Sequence, residues 1–191
     1  MPEGERGRRI GVDLGLTETE KQKLRDIVRT VIEHKVLNKP VPRFKIEEEK
    51  LKEKRGAFVT LRTAGQLRGC IGNIRGGRPL HETVVEMAEE AAFHDPRFDP
   101  VSRDELEGLE IEISALTPLQ KIDRIEEIEV GTHGIYIEKG FLSGLLLPQV
   151  ATEYGWDRKT FLEQTCWKAG LRRDAWKEKD TKIYKFSADV F

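Results

Sequence analysis

Cys70 is the side chain in this sequence best placed to act as a nucleophile. It lies in the stretch 67–72 (Leu-Arg-Gly-Cys-Ile-Gly), whose apolar alternation is typical of a strand. In an extended chain Arg68 and Cys70 face the same side, and a neighbouring cation favours the reactive thiolate. Glycine is rare inside strands unless a backbone or a ligand comes close, which draws attention to Gly69. The alternative is that Cys70 is buried as a small apolar residue, the common state of a free cysteine.

A catalytic cysteine needs a base, and His94 is the first candidate. It precedes Asp95, whose carboxylate could orient the imidazole, and together the two would complete a Cys/His arrangement with Cys70. His81 is a second candidate base. The alternative for His94 is a hydrogen bond to the backbone that holds the loop 94–100, where two prolines exclude helix. We predict Cys70 and His94 as the catalytic residues.

Arginines and glycines near this stretch predict a site for an anion. The pair Gly76-Gly77 precedes Pro79, which is a favoured first residue of a helix, and helix starts attract anions. Arginine clamps phosphates and carboxylates in a bidentate manner. The predicted ligand-binding residues are Arg68, Gly69, Asn73, Arg75, Gly76, Gly77, Arg78, Asp95 and Arg97. The alternatives are that Arg97 pairs with a neighbouring aspartate and that Arg75 and Arg78 are solvated.

Composition limits the remaining classes of function. The 191 residues are 38% hydrophobic and 35% charged, with a net charge of −1, so the whole molecule is not an electrostatic nucleic-acid binder. Two asparagines and five glutamines accompany those charges, as in thermophile proteins. The two cysteines have no metal-site spacing, and no apolar run reaches membrane-spanning length. We predict a reduced, soluble, cytoplasmic protein without a membrane segment, metal or cofactor.

The elements that position these residues begin with a helix over 17–37, capped by Thr17 and Glu20. A short helix over 47–54 and a hairpin over 58–62 and 67–74 follow. Periodicity then predicts a helix from Pro79 to about Phe93 and a strand over 109–116.

The second half of the chain alternates short helices and strands. We predict a short helix over 123–130, a hairpin over 134–138 and 141–147, a helix over 148–154, another capped by Asp157, and a last strand over 182–187. This order favours an α+β fold with an antiparallel sheet and flanking helices. Residues 1–15 are predicted to be a flexible N-terminus, and 16–191 one domain made of two packed lobes.

Four segments together resemble the AMMECR family: 67–72, Asp-Pro-Arg-Phe at 95–98, Leu-Pro-Gln-Val at 147–150, and Phe-Leu…Cys-Trp-Lys-Ala-Gly-Leu at 161–171. The match is to the archaeal and bacterial branch. The resemblance implies a larger and a smaller lobe with the hexapeptide near the cleft between them. It supplies no settled activity, and it implies Memo-like or radical-SAM pathway partners.

These residues are compatible with three functions. The leading hypothesis is a site in the interlobe cleft for a small anionic or nucleotide-like ligand, with Cys70-based catalysis as an extension. The second is nucleic-acid binding through Arg75, Arg78 and nearby lysines, which is less favoured. The third is a protein-interaction module in which the glycine-bearing strand docks a partner backbone.

Overall fold

A computed structural model describes residues 10–191, and residues 1–9 of the predicted flexible N-terminus lie outside this range. The chain divides into two compact units. We call 15–118 with 190–191 the N-terminal unit, and 10–14 with 119–189 the C-terminal unit.

The N-terminal unit contains three α-helices. The first, α1 (Glu18–Val36), starts at the predicted capping box, in which Thr17 and Glu20 bond each other's backbone amides. Helix α2 (Glu49–Lys52) is a single turn, and α3 (Leu80–Glu89) follows Pro79. The chain leaves α3 through a π-helical turn, Glu90–His94, and later forms a 3₁₀ helix, Arg103–Gly108.

One sheet has four strands in the order β2-β1-β3-β8, of which β1, β2 and β3 belong to the N-terminal unit. They are β1 (Ala57–Thr63), β2 (Gln66–Asn73), β3 (Leu109–Leu116) and β8 (Ala188–Val190). One face is apolar because alternate residues point to the same side, and Val59, Leu61 and Ile113 on that face are fully buried. Strand β2 is an edge strand, and this position leaves half of its backbone groups available to side chains.

The register of β2 against β1 contains a bulge at Arg68. Leu61 pairs with Gly69 and Arg62 pairs with Leu67, so Arg68 has no partner residue on β1. A bulge bends the strand and redirects the side chain of the extra residue. The strict alternation predicted from Arg68 to Gly72 therefore holds from Cys70 onward but is interrupted at Arg68.

The C-terminal unit has a second antiparallel sheet, in the order β4-β7-β5-β6. Its strands are β4 (Gln120–Lys121), β5 (Gly134–Lys139), β6 (Leu142–Leu146) and β7 (Lys182–Phe186). Two helices accompany it, α4 (Pro148–Glu153) and α5 (Arg158–Lys168), with a 3₁₀ turn at Ala175–Lys177. Phe161 and Cys166 of α5 are fully buried in its core.

The predicted α+β class is confirmed, with two four-stranded antiparallel sheets where one sheet was predicted. Two local predictions were wrong. The helix expected over 123–130 is only a 3₁₀ turn, Ile125–Glu127, because Ile128 is buried and the chain extends to reach that position. His94, expected in a non-helical loop, is the last residue of the π-helical turn, since the constraint from Pro96 acts on Asp95 and not on His94.

Candidate functional site around Cys70

The backbone of Cys70 is held on the open edge of β2 by two side chains. The Cys70 N–H donates to Asp95 Oδ2 at 2.9 Å, and the Cys70 carbonyl accepts from Arg97 Nη2 at 3.1 Å. Both groups point away from β1, towards the side of β2 on which a further strand would otherwise pair. The Asp95–Arg97 pair therefore takes the place of a neighbouring strand at this one residue and fixes its position.

Asp95 is the centre of this arrangement. Its side chain is 2% exposed, and its Oδ1 accepts from both Nε and the backbone N–H of Arg97, at 2.9 and 3.1 Å. Arg97 Nη2 donates to Oδ2 at 2.7 Å. These bonds, with the one from the Cys70 N–H, outweigh burial and lower the pKa of Asp95 to about 2. Asp95 is thus an ionised acceptor at neutral pH.

Arg68, the bulged residue, is held by the 3₁₀ helix Arg103–Gly108. Its Nε and Nη2 donate to the two oxygens of Glu105 at 2.5 and 3.1 Å, and Nη2 also donates to the Asp99 carbonyl at 2.9 Å. The hydrogen bond from Arg68 is the main reason that the pKa of Glu105 falls to about 2. Glu105 also closes a capping box with Ser102. The charge of Arg68 is therefore balanced by Glu105.

Phe98 lies between the two arginines. Its ring centroid is 5.9 Å from the Arg68 guanidinium carbon and 5.5 Å from that of Arg97. Contacts at this distance favour cations over the face of the ring. The turn 95–99 thus connects the Asp95 and Arg68 ion pairs into one cluster along the outer edge of β2.

Cys70 is half-buried and is not part of a disulfide. Its Sγ is 3.3 Å from Oγ1 of Thr60, the residue opposite it on β1. Thr60 in turn pairs with Glu112 on β3, so the three side chains form a row across one face of the sheet. A hydroxyl and a carboxylate are thereby positioned on the same face as the thiol.

The glycines of the hexapeptide make room for close neighbours. A Cβ at Gly69 would lie 2.2 Å from the carbonyl oxygen of Ala91, in the π-helical turn, and one at Gly72 would lie 2.2 Å from the Phe58 ring. The expectation that a glycine in this strand admits a close backbone is confirmed at Gly69. Its neighbour is the protein's own chain.

His94, the predicted base, is directed to a different partner. Its side chain is 53% exposed, and Nδ1 lies 3.3 Å from Oε1 of Glu90, one turn earlier. His81 Nδ1 is 2.9 Å from the carbonyl oxygen of Leu51. In the part of the chain that the structure describes, neither histidine makes a hydrogen bond with Cys70. The catalytic role of His94 stays a prediction without geometric support in this arrangement.

The predicted anion loop follows β2 and is organised by its own side chains. Asn73 Oδ1 accepts from the Arg75 backbone N–H at 2.9 Å, and Gly77 N–H donates to the Arg75 carbonyl at 2.9 Å. Gly76 is close to the backbone of 54–55, and Arg78 pairs with Glu86 at 3.2 Å. Within residues 10–191 the Arg75 side chain has no ion-pair partner, so it is the cation of this loop available to an anion.

Of the predicted site residues, Arg97, Asp95 and Cys70 are brought together by hydrogen bonds, and Arg68 is connected to Arg97 through the ring of Phe98. No sequence pattern predicted Thr60, Glu105 or Glu112 as members of the site. The Ser-x-x-Glu cap at 102–105 was a signal for Glu105, but its pairing with Arg68 depends on the fold. For Thr60 and Glu112 the only sequence signal was the alternation of side chains along a strand. Alternation predicts on which face of the sheet a side chain lies, but not which residue lies beside it.

The described residues contain neither a candidate metal-binding cluster nor a candidate membrane-spanning helix. Within 10–191 there is no cluster of three or more His, Cys, Asp or Glu side chains that could hold a metal ion. In the same range no helix combines the length and the apolar character that a bilayer crossing requires.

These features define an α+β protein with two four-stranded antiparallel sheets and a cysteine anchored on an edge strand. The AMMECR1 family model matches residues 25–191, and the chain belongs to that family. A protein of Thermococcus gammatolerans is 51% identical over 149 residues, covering 73% of each chain. A protein of Aquifex aeolicus is 46% identical over 151 residues, covering 75% of this chain and 77% of its own.

A solved structure has the same fold. The crystal structure of the uncharacterized protein PH0010 from Pyrococcus horikoshii superposes with a TM-score of 0.83 at 42% identity, covering 88% of each chain. The predicted resemblance is therefore confirmed. The relatives come from thermophiles, which agrees with the low asparagine and glutamine content of this chain.

Proposed function

We propose that the N-terminal unit binds a small anionic, nucleotide-like molecule against β2, with the thiol of Cys70 as the candidate reactive group. The observation that carries the proposal is the anchoring of Cys70. Cys70, a half-buried residue, is fixed through both backbone groups by a buried carboxylate and its arginine. Such fixed positioning is what a binding or catalytic side chain requires.

The arrangement favours a ligand longer than a free phosphate. Arg68 and Arg97 are balanced by carboxylates, so the available positive charge lies at Arg75 in the loop after β2. Asn73, at the start of that loop, lies three positions beyond Cys70 on the strand, a distance of about 10 Å. A molecule that contacts both the thiol and Arg75 must span this distance, as a mononucleotide does. The interlobe cleft implied by the resemblance stays a prediction, and nothing in the proposal depends on it.

Thiol labelling with an internal control tests the proposal. Cys166 is fully buried, and burial raises the pKa of its thiol, so it should label slowly. We expect a maleimide to modify Cys70 rapidly, AMP to slow that modification, and inorganic phosphate to have a smaller effect. Cys70→Ser should remove the fast phase.

A pair of arginine variants identifies the anion contact. Arg75→Gln should reduce protection by AMP, whereas Arg43→Gln, which removes an exposed arginine without an ion pair within residues 10–191, should leave it unchanged. Modification of Cys70 as slow as that of Cys166 would refute an accessible thiol. Fast modification that neither AMP nor phosphate affects would refute the proposed ligand class.

A further inference from the structure

Three of the four edge strands in the two sheets have a feature that prevents pairing with another strand. The edge of β2 is occupied at Cys70 by Asp95. Strand β4 is two residues long and ends on Lys121. Strand β8 contains the buried Asp189, and its Ala188 carbonyl accepts from the N–H of Val12 at 2.9 Å. Charges, short length and covering segments are the usual means by which proteins prevent edge-to-edge pairing.

Within residues 10–191, strand β6 has none of these features. Its sequence, Leu142 to Leu146, is Leu-Ser-Gly-Leu-Leu and contains neither a charged residue nor a proline. Across residues 10–191, its backbone makes no hydrogen bond outside the ladder with β5. Leu142 is 46% exposed, and Phe141 just before it is fully exposed. The edge of β6 is therefore a row of free backbone donors and acceptors beside apolar side chains.

One face of β6 is already covered, and this leaves the edge as the available surface. A Cβ at Gly144 would lie 2.6 Å from the backbone nitrogen of Ala169, just after α5, so helix and strand are in close contact there. The exposed side chains of Phe141 and Leu142 thus form an apolar border at the start of the unpaired edge.

We infer that the edge of β6 pairs with the β6 edge of a second copy of this chain. The two strands would run antiparallel about a twofold axis at Gly144, with Leu142 opposite Leu146 of the second copy and Ser143 opposite its Leu145. Self-pairing fits because β6 carries no charge, so no like charges oppose each other and no charged partner is selected. Glycine at the axis places no side chain between the strands, and the two sheets become one sheet of eight strands.

The mass of the protein in solution tests the pairing. We expect sedimentation or light scattering to give twice the 21.9 kDa of the chain. Ser143→Lys places one lysine from each copy in the shared interface and should weaken the dimer by about tenfold or more, the effect of about 1.4 kcal/mol. Thr152→Lys, the same change in charge at an exposed position of α4, should leave the mass unchanged.

Cross-linking tests the register without relying on a loss of assembly. In a Cys70→Ser background, mixed Ser143→Cys and Leu145→Cys chains should form a disulfide between copies, because opposite residues in antiparallel strands are within disulfide reach. Thr152→Cys chains should not. A monomer at every protein concentration would overturn the inference. So would a dimer that Ser143→Lys does not weaken, or one in which the mixed chains form no disulfide.

Discussion

Asp95 organises the candidate site at the scale of single residues. It accepts four hydrogen bonds, one from the Cys70 N–H and three from Arg97, while its side chain is almost fully buried. A buried carboxylate is tolerated only when such donors replace its water. The same atoms that satisfy Asp95 therefore also determine where the thiol of Cys70 lies.

The first prediction concerns acid stability. The pKa of Asp95 is about 2 in the folded protein and about 3.9 in an unfolded chain, so its contribution to stability is fully present above about pH 4. The contribution is lost as the pH falls towards 2, because the folded form then has to take up a proton at an unfavourable site. We expect Asp95→Asn to lower the free energy of unfolding at pH 7 by about 2 kcal/mol.

Urea denaturation between pH 7 and pH 2 measures this effect. On acidification the unfolding free energy of Asp95→Asn should decrease less than that of the wild type. The expected difference is about 1 to 2 kcal/mol, after allowance for the exposed side of Arg97. Asp99→Asn, at an exposed carboxylate four residues later, is the matched control and should change stability by less than about 0.5 kcal/mol. An Asp95→Asn profile parallel to that of the wild type would contradict the role given to this carboxylate.

At the scale of elements, the close approach of β2 to the π-helical turn positions the site. The backbone of Gly69 lies against the carbonyl of Ala91, and four residues later the same turn of chain supplies Asp95 to the edge of β2. The π-helical turn ends where Asp95 becomes extended. Turns of this kind are rare and frequently occur at functional sites. A strand, a turn and a loop thus meet at Cys70.

The second prediction concerns the close contact between β2 and the π-helical turn. Gly69→Ala puts a methyl group 2.2 Å from the Ala91 oxygen, so β2 and the turn must separate, and we expect a loss of about 1 to 3 kcal/mol. The maleimide rate at Cys70 should change as well, since the Asp95 contact shifts. Gly77→Ala is the control, because a Cβ there meets nothing within 4 Å. Equal stabilities of the two variants, measured by chemical denaturation, would show that the gap tolerates a side chain.

At the scale of the whole molecule, the last two residues belong to a unit that the chain otherwise leaves at residue 118. After the C-terminal unit is complete, 190–191 belong to the N-terminal unit. Phe191 exchanges two backbone hydrogen bonds with Ile113 of β3, at 2.7 and 3.0 Å. Its ring lies 5.3 Å from Lys21 Nζ and 5.5 Å from the guanidinium carbon of Arg25, both on α1. The last residue therefore links α1 to the sheet that carries Cys70.

The third prediction concerns this link. Phe191→Ala should lower the free energy of unfolding by about 1 to 3 kcal/mol, since a partly buried ring and its two cation contacts are lost. Phe191→Leu keeps apolar bulk and should recover about half of that loss. Thermal unfolding measures both, with each kcal/mol corresponding to about 2–4 °C at this chain length. An unchanged melting temperature in Phe191→Ala would remove this residue from the stabilising contacts.

Several features were determined by local sequence. The capping box at Thr17, the turn around Asp95 and the strand through Cys70 each depend on a few adjacent residues whose backbone preferences agree. The pairing of β1 with β2 followed from a short turn between two β-rich segments. The glycine at position 69 correctly predicted a close approach. These are short-range effects, so the order of residues is enough to specify them.

Only the tertiary structure decided what each side chain meets. Glu105 is 37 residues from Arg68, and Asp95 is 25 residues from Cys70. No local pattern encodes those contacts, because they depend on where long loops close and on the bulge that redirects Arg68. Two ion pairs that looked like an anion clamp instead balance their own charges. The sequence by itself thus determined that Cys70 stands on a glycine-bearing strand, and the fold decided that a buried carboxylate holds it there.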